Sequence, residues 1–439
     1  MKKYLYFNVL VATLGGFLLG FDTAVISGAE QSIQALWSLD DVRHGFTVSI
    51  AIIGTIFGAM FGGIPSDRIG RKNTLYLVGV LYLVSALGSA LAHNWTFFLA
   101  FRFIGGVGVG ASSVDAPMYI SEISPARMRG RLVALMQVNI VFGILIAYVS
   151  NYLLEGGGPH TWRWMLGVET VPATLFLALI PFIPRSPRWL IVKRGNTEAA
   201  RKVLARIDPL AVEEQVQQIL ETHRQHAAKA VRVRLFSRPY RFPILLAVLF
   251  AIFNQVSGIN GIIYYAPRIF QNAGFESGSA LLSTAGIGLI KLTFTVISIN
   301  LIDRFGRRFL MLVGSVGLMV TLGVTSMAFF FDYGGIPVAI SLFIYIAFFG
   351  FSHGTVIWVF ISEIFPNEVR ARGQSLGFLV HWITTATIAF TLPSAGARGF
   401  EWVFLFFAVM MVFQLIFVIR VMPETKGLTL EEMEKKILK

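Results

Sequence analysis

Cysteine is absent from the 439 residues, and charge is scarce: Asp, Glu, Lys and Arg together make up 14%. The first absence excludes disulfides, thiol chemistry and cysteine-held metals. The second excludes an ordinary soluble globule, in which about a quarter of residues are charged. Motifs of hydrolytic chemistry are missing too, with no H-E-x-x-H and no nucleophile elbow. Gly105-Gly106-x-Gly108-x-Gly110 superficially matches a phosphate loop. It follows an apolar run rather than a strand, however, and lacks the Lys-Ser/Thr of a P-loop, so close helix packing explains it better. Neither an enzyme nor a cofactor is expected, and no metal site.

What the chain has instead is apolar length. Hydrophobic residues are 55% of it and mean hydropathy is +0.69. Runs of about twenty residues, enough to cross a hydrocarbon core, fall near 7–27, 46–66, 74–92, 96–119, 132–153, 164–183, 242–270, 280–301, 309–331, 337–361, 374–396 and 402–421. Barrel strands would read as ten-residue alternating segments, so all twelve are predicted helices. The expected fold class is all-α, a polytopic membrane protein of twelve transmembrane helices. Lys2-Lys3 before the first run imitates a signal peptide, but no small-residue cleavage site follows and Asp22 lies within the run. The segment reads as the first transmembrane helix.

A net charge of +13 invites a nucleic-acid reading, and its distribution argues against one. With both termini in the cytoplasm, 31 of the 37 Lys and Arg residues fall on cytoplasmic segments, as the positive-inside rule requires. The implied partner is the lipid bilayer, not nucleic acid.

Two motifs then repeat. Asp67-Arg68-Ile69-Gly70-Arg71-Lys72 returns 236 residues later as Asp303-Arg304-Phe305-Gly306-Arg307-Arg308, and Ser121-Glu122-Ile123-Ser124-Pro125 returns after 241 as Ser362-Glu363-Ile364-Phe365-Pro366. The chain divides into like halves, 1–183 and 242–423, joined by a polar linker at 184–241 and followed by a tail at 424–439. Two like halves of a membrane protein place a binding site at their interface and rock about it, which points to transport. In the linker, Asn196 or Thr197 with Glu198 is expected to cap one helix through Arg206. Asp208-Pro209 is expected to begin another. These charged, amphipathic helices serve as a tether or as an inside latch.

Five ionisable residues fall within predicted spans: Asp22, Arg102, Asp115, Glu169 and Lys291. Such groups are costly in hydrocarbon, so they turn inward and pair. Asp22, Arg102 and Glu169 set one cation among two acids, which leaves one acid able to trade its proton. A purely structural pair would need only one acid. Arg71, Lys72, Arg307 and Arg308 can bridge to Glu122 and Glu363 at neighbouring helix ends, forming a cytoplasmic gate that breaks when the inside opens.

These residues, taken in order, resemble the sugar porters of the major facilitator superfamily, which include proton–xylose symporters and facilitative glucose transporters. The resemblance covers nearly the whole chain. It rests on Gly20-Phe21-Asp22-Thr23-Ala24-Val25-Ile26-Ser27-Gly28, the two D-R-x-G-R-[RK] loops and Pro117-Met118-Tyr119-Ile120-Ser121-Glu122. Arg129-Gly130-Arg131, Gln255-Val256-Ser257-Gly258-Ile259-Asn260 with Tyr264-Tyr265, Trp358, and Pro423-Glu424-Thr425-Lys426-Gly427 complete it. It implies a twelve-helix fold and proton coupling through Asp22, Arg102 and Glu169. It also implies sugar contacts at Gln137, Asn254, Gln255, Asn260 and Trp358, because amides donate and accept without charge and indole faces stack on sugar C–H surfaces. The implied gate is Asp67, Arg71, Glu122 and Arg131 in the first half, with Asp303, Arg307, Glu363 and Arg372 in the second.

Departures from the family pattern are specific. His381 stands where Asn or Gln is usual, and Lys291 where Asn is common, so both join the substrate-binding set. Asn254 replaces Gln, Asp115 replaces an apolar or small residue, and Arg185 replaces Glu. Residues 352–358 lack the prolines that often break the tenth helix, which puts its hinge in question. Lys291 is expected to pair with an acid such as Asp115 or to be neutral; contact with a sugar acid is the sharper reading.

The expected function is proton-coupled symport of a monosaccharide, hexose or pentose, by a monomer in a bacterial inner membrane. A facilitative uniporter is the alternative, but such relatives commonly carry Asn at the place of Asp22. A transporter-like sugar receptor would carry a longer signalling tail.

Overall fold

In the computed structural model, residues 2–125, 127–228, 235–366, 368–427 and 432 are described. Among them no strand occurs and twelve helical segments are long and apolar enough to span a bilayer. The first half contains α1 (Lys2–Leu36), α2 (Asp41–Phe61), α3 (Gly63–Ile69), α4 (Arg71–Ala90), α5 (Trp95–Ile123), α6 (Arg129–Leu153), α7 (Thr161–Gly167) and α8 (Thr170–Leu179). The linker forms α9 (Pro187–Arg194), α10 (Thr197–Ile207) and α11 (Val212–Ala228). The second half contains α12 (Arg241–Val256), α13 (Ile259–Asn272), α14 (Ser277–Phe305), α15 (Arg307–Phe330), α16 (Gly335–Phe351), α17 (His353–Glu363), α18 (Arg370–Gly396) and α19 (Phe400–Arg420). A helix satisfies its own backbone hydrogen bonds, which is why apolar length in this sequence becomes helix. The glycine run at Gly105–Gly110 lies inside α5.

Among the described residues the sixth, seventh and tenth spans are each interrupted, the sixth between α7 and α8. The seventh breaks at Ser257–Gly258, between α12 and α13. Gly258 has φ +88°, and a Cβ there would meet the Phe407 ring at 2.5 Å, so glycine alone fits. The tenth breaks at Ser352 (φ −115°, ψ −90°), between α16 and α17, without any proline. The helix break questioned from the missing prolines is therefore present. Ser352 Oγ donates to the Phe348 carbonyl at 2.5 Å, so a side chain occupies one acceptor that the break would otherwise strand.

Compact packing divides the chain into two units that cut across the sequence halves. The first comprises residues 1–22, 54–143 and 166–232. Its core gathers Val9, Leu75, Tyr82, Tyr119, Ile120 and Phe176. Helix α1 crosses α6 so closely that a Cβ on Gly20 would lie 1.8 Å from the Ile140 carbonyl oxygen. The linker helices belong to this unit and pack on their own small core of Trp189, Leu190, Ala200, Leu204 and Val216. The Asn196 side chain caps α10, accepting the Ala199 N–H at 2.9 Å. After Asp208 the chain makes a 3-10 turn at Pro209–Ala211 before α11 begins, so the expected proline start is one turn early.

The second unit comprises residues 23–53, 144–165 and 233–439. Its core includes Leu246, Phe250, Met311, Ile357, Phe360 and Val418. The ends of α1, α2 and α6 farthest from the basic loops pack here, with the helices of the second half.

Candidate functional site

Within the first unit the predicted coupling residues come together. Asp22 is on α1, Arg102 on α5, and Glu169 at the N-cap of α8. Arg102 Nη1 donates to Asp22 Oδ1 at 2.5 Å and Nη2 to the Asp22 carbonyl at 3.4 Å, with both side chains 3% exposed. Glu169 is buried and within electrostatic reach of both Asp22 and Arg102. Its Oε1 and the Arg102 Nε have no hydrogen-bond partner among the described residues. Buried hydroxyls of Tyr82, Ser85 and Ser112 lie around the acids. Sequence reading missed these three, because hydroxyl residues are common in spans and carry no motif.

In the second unit the amides form one connected cluster. Asn254 Nδ2 donates to the His353 carbonyl at 3.2 Å, and its Oδ1 accepts from Gln255 Nε2 at 2.9 Å. Gln255 Nε2 also lies 3.1 Å from His381 Nδ1, while its Oε1 accepts from Asn260 Nδ2 at 2.7 Å. Asn260 reaches Thr385 Oγ1 at 3.4 Å. Trp358 on α17 stacks against Phe378 with ring centres 4.8 Å apart and meets the His381 ring edge-on at 4.9 Å. The break at Gly258 lets Gln255 and Asn260, on different helices, share a hydrogen bond. Every amide here is paired with another protein group, so a polyol must exchange hydrogen bonds rather than fill empty ones. Thr385 and His353 are the members of this cluster that no motif indicated.

The gate motifs take the same geometry twice. In the first unit Arg71 Nη1 bonds the Ser66 carbonyl at 3.0 Å and Asp67 at 3.1 Å, and Nε lies 3.0 Å from Glu122. Ser186 closes the set on Glu122 at 2.5 Å. In the second unit Arg307 Nη1 bonds the Ile302 carbonyl at 3.2 Å, Nη2 bonds Glu363 at 2.9 Å, and Thr425 closes on Glu363 at 2.5 Å. Arg131 and Arg372 are exposed on α6 and α18. The side chain of Asp303 lies outside the described residues.

Three placements differ from expectation or extend it. Asp115 takes its hydrogen bond from Ser66, not from Lys291. A polar partner of Asp115 is thus on the short helix α3, beside the Arg71–Glu122 pair. Lys291, 9% exposed on α14, has no ion pair among the described residues; its Nζ lies 6.0 Å from the centre of the Phe349 ring. Gln137 is half-buried on α6.

Comparison with known proteins gives the chain its relatives. The family model described as "Sugar (and other) transporter" matches residues 8–437. The D-xylose-proton symporter of Escherichia coli K12 is 36% identical, with 99% of this chain and 96% of that protein covered. The arabinose-proton symporter of Bacillus subtilis is also 36% identical, over 98% and 94%. Among solved structures, the E. coli xylose transporter XylE in an inward-open conformation superposes with a TM-score of 0.88 at 34% identity, covering 99% of this chain and all of that one. The same transporter bound to 6-bromo-6-deoxy-D-glucose, a major facilitator superfamily protein, gives 0.82 at 35% identity over 99% of each. With twelve spans among the described residues, a repeated loop motif and a match from end to end, the chain is a multi-pass membrane protein of the major facilitator fold and belongs to the sugar transporter family.

Proposed function

We propose that the protein carries a monosaccharide, hexose or pentose, together with a proton by alternating access. The observation that carries this reading is the second acid beside the Asp22–Arg102 pair. A uniporter needs no ionisable group there, and a structural pair needs one. A second buried carboxyl within reach of the same guanidinium gives the site a group that can take or give a proton according to how Arg102 is shared. When Asp22 takes the proton, Arg102 is freed to turn to Glu169, and α1 and α5 can shift. The relatives named as proton symporters of xylose and arabinose support the same assignment.

The sugar is bound by Gln255 and Asn260, assisted by Asn254, His381 and Gln137, with Trp358 offering its face to the C–H surface. The Arg71–Glu122 and Arg307–Glu363 pairs, with Asp67, Arg131, Asp303 and Arg372, serve as the cytoplasmic gate. In this reading both termini are cytoplasmic, the membrane is a bacterial inner membrane and the monomer is the working unit. The linker contributes Ser186 and Trp189, which donate to Glu122 and to the Asp67 carbonyl and so couple it to the gate.

The test is uptake into proteoliposomes of hexoses, pentoses, polyols and uronates, with and without an imposed proton gradient. Gradient-driven accumulation of a neutral monosaccharide is expected. Equal uptake in both conditions would leave a uniporter. Lys291, buried without a counter-ion among the described residues, is the observation that favours an anionic sugar. Preferential uptake of a uronate, lost in Lys291→Asn, would replace the neutral substrate.

A further inference from the structure

An ionic cluster closes the helix ends opposite the basic loops, at a place no motif marks. Glu30 and Gln34 lie on the last two turns of α1, His44 on the first turn of α2, and Arg268 on α13. The Glu30 and His44 side chains are fully buried. Arg268 grips Glu30 with two hydrogen bonds, Nε to Oε1 at 3.0 Å and Nη2 to Oε2 at 2.6 Å. Its Nη2 also bonds Gln34 Oε1 at 2.6 Å, and His44 Nε2 lies 2.7 Å from Glu30 Oε2. Asp41 adds a further attraction on Arg268.

We propose that Glu30, Gln34, His44 and Arg268 form a lock that holds the transporter closed to the outside. The proposal rests on the transport reading above and adds the residues that position its outer gate. Three observations carry it. The cluster joins the first half to the second across 238 residues of sequence, so it ties together elements that alternating access must part. Its second-half member is on α13, a short helix set off from α12 by the Gly258 break and bent again at Tyr265, so it can swing without moving the rest of the span. Burying an ion pair is a poor way to gain stability, since an apolar seam would hold as well without desolvating two charges. A charge pair is instead a contact that entering water can replace, which suits a seam that opens and recloses.

The absence of cysteine makes the test direct. Ser27 on α1 is buried one turn inside Glu30. A Ser27→Cys background therefore carries a single thiol, and its reaction with a membrane-impermeant maleimide added outside right-side-out vesicles reports outward opening. Glu30→Gln and Arg268→Gln are each expected to speed labelling by about tenfold or more, since removing one partner leaves a buried charge unpaired. The exchanged pair, Glu30→Arg with Arg268→Glu, is expected to return labelling towards the parent rate, which a merely structural role would not do. Unchanged labelling in both single variants, or an exchanged pair as fast as either one, would overturn the lock. Should the charge variants not reach the membrane, Gln34→Ala and His44→Gln carry the same test with both charges kept, and unchanged labelling in both overturns it. The readout needs no transported sugar, so a wrong substrate and a wrong lock give different results.

Discussion

The carboxylate of Glu424 closes the amino terminus of α15, accepting the backbone N–H groups of Arg307 and Arg308 at 3.0 Å each. Thr425 and Lys426 donate their N–H groups to it at 2.9 Å. Burial pushes its pKa up, but these four backbone donors outweigh burial and hold it below the ordinary value of 4.5. A carboxyl depressed in the folded state stabilises the protein above its unfolded-state pKa, and that contribution is lost as pH falls through the folded value. Glu424→Gln should therefore cost about 1 kcal/mol near neutral pH, a capping-sized effect reduced by partial exposure. Melting of both proteins in detergent from neutral to acid pH checks this, and the gap should close in acid. A gap that stays constant with pH would count against the cap.

At the matching place of the first half stands Arg185, close enough to Lys72 to repel it. A cation thus stands near Lys72 at the start of α4, where a carboxylate caps the start of α15. Arg185→Glu should raise thermal stability by about 0.5–1 kcal/mol, by supplying the missing charge at a helix N-terminus. A melting temperature at or below the parent's would argue that the two halves are not equivalent here.

Asp22→Asn should abolish sugar accumulation driven by a proton gradient while counterflow persists. The variant keeps a hydrogen-bonding group towards Arg102 but cannot trade a proton. Uptake assays with and without a gradient separate the two activities, and uphill uptake at the parent rate would remove Asp22 from the coupling step.

Gln255→Ala and Asn260→Ala should each raise the sugar dissociation constant by roughly five- to hundredfold, the cost of one lost buried partner at about 1–3 kcal/mol. Binding calorimetry on purified protein measures it. Because Gln255 bonds both Asn254 and Asn260, the double variant should fall short of the product of the single effects. Unchanged affinity in both single variants would move the site elsewhere.

Charge and repetition make much of this protein legible in its chain. The relation of Asp22, Arg102 and Glu169 is readable because intramembrane charge is rare enough to single each of them out. The repeated Asp-Arg-x-Gly-Arg loops likewise announce repeated ion pairs, and Arg71 and Arg307 meet Glu122 and Glu363 as expected. The bond that Asp115 accepts from Ser66 is not recoverable in this way, because a serine on a neighbouring helix carries no charge to single it out. The tenth span shows a different limit, since a proline rule says nothing of a break that Ser352 sustains through its own hydroxyl.

Local composition by itself determined the spans, their helicity and the excess of positive charge on one set of loops. The first two depend only on whether a run of about twenty residues satisfies its own backbone in hydrocarbon, and the third is a count of Lys and Arg along the chain. Tertiary structure alone decided which polar groups meet. Glu30 and Arg268 carry no motif and stand 238 residues apart, yet they share two hydrogen bonds. Such a pair follows from how two helices are rotated about their axes and how deep each sits, quantities set by the packing of all their neighbours and contained in no local window of the sequence.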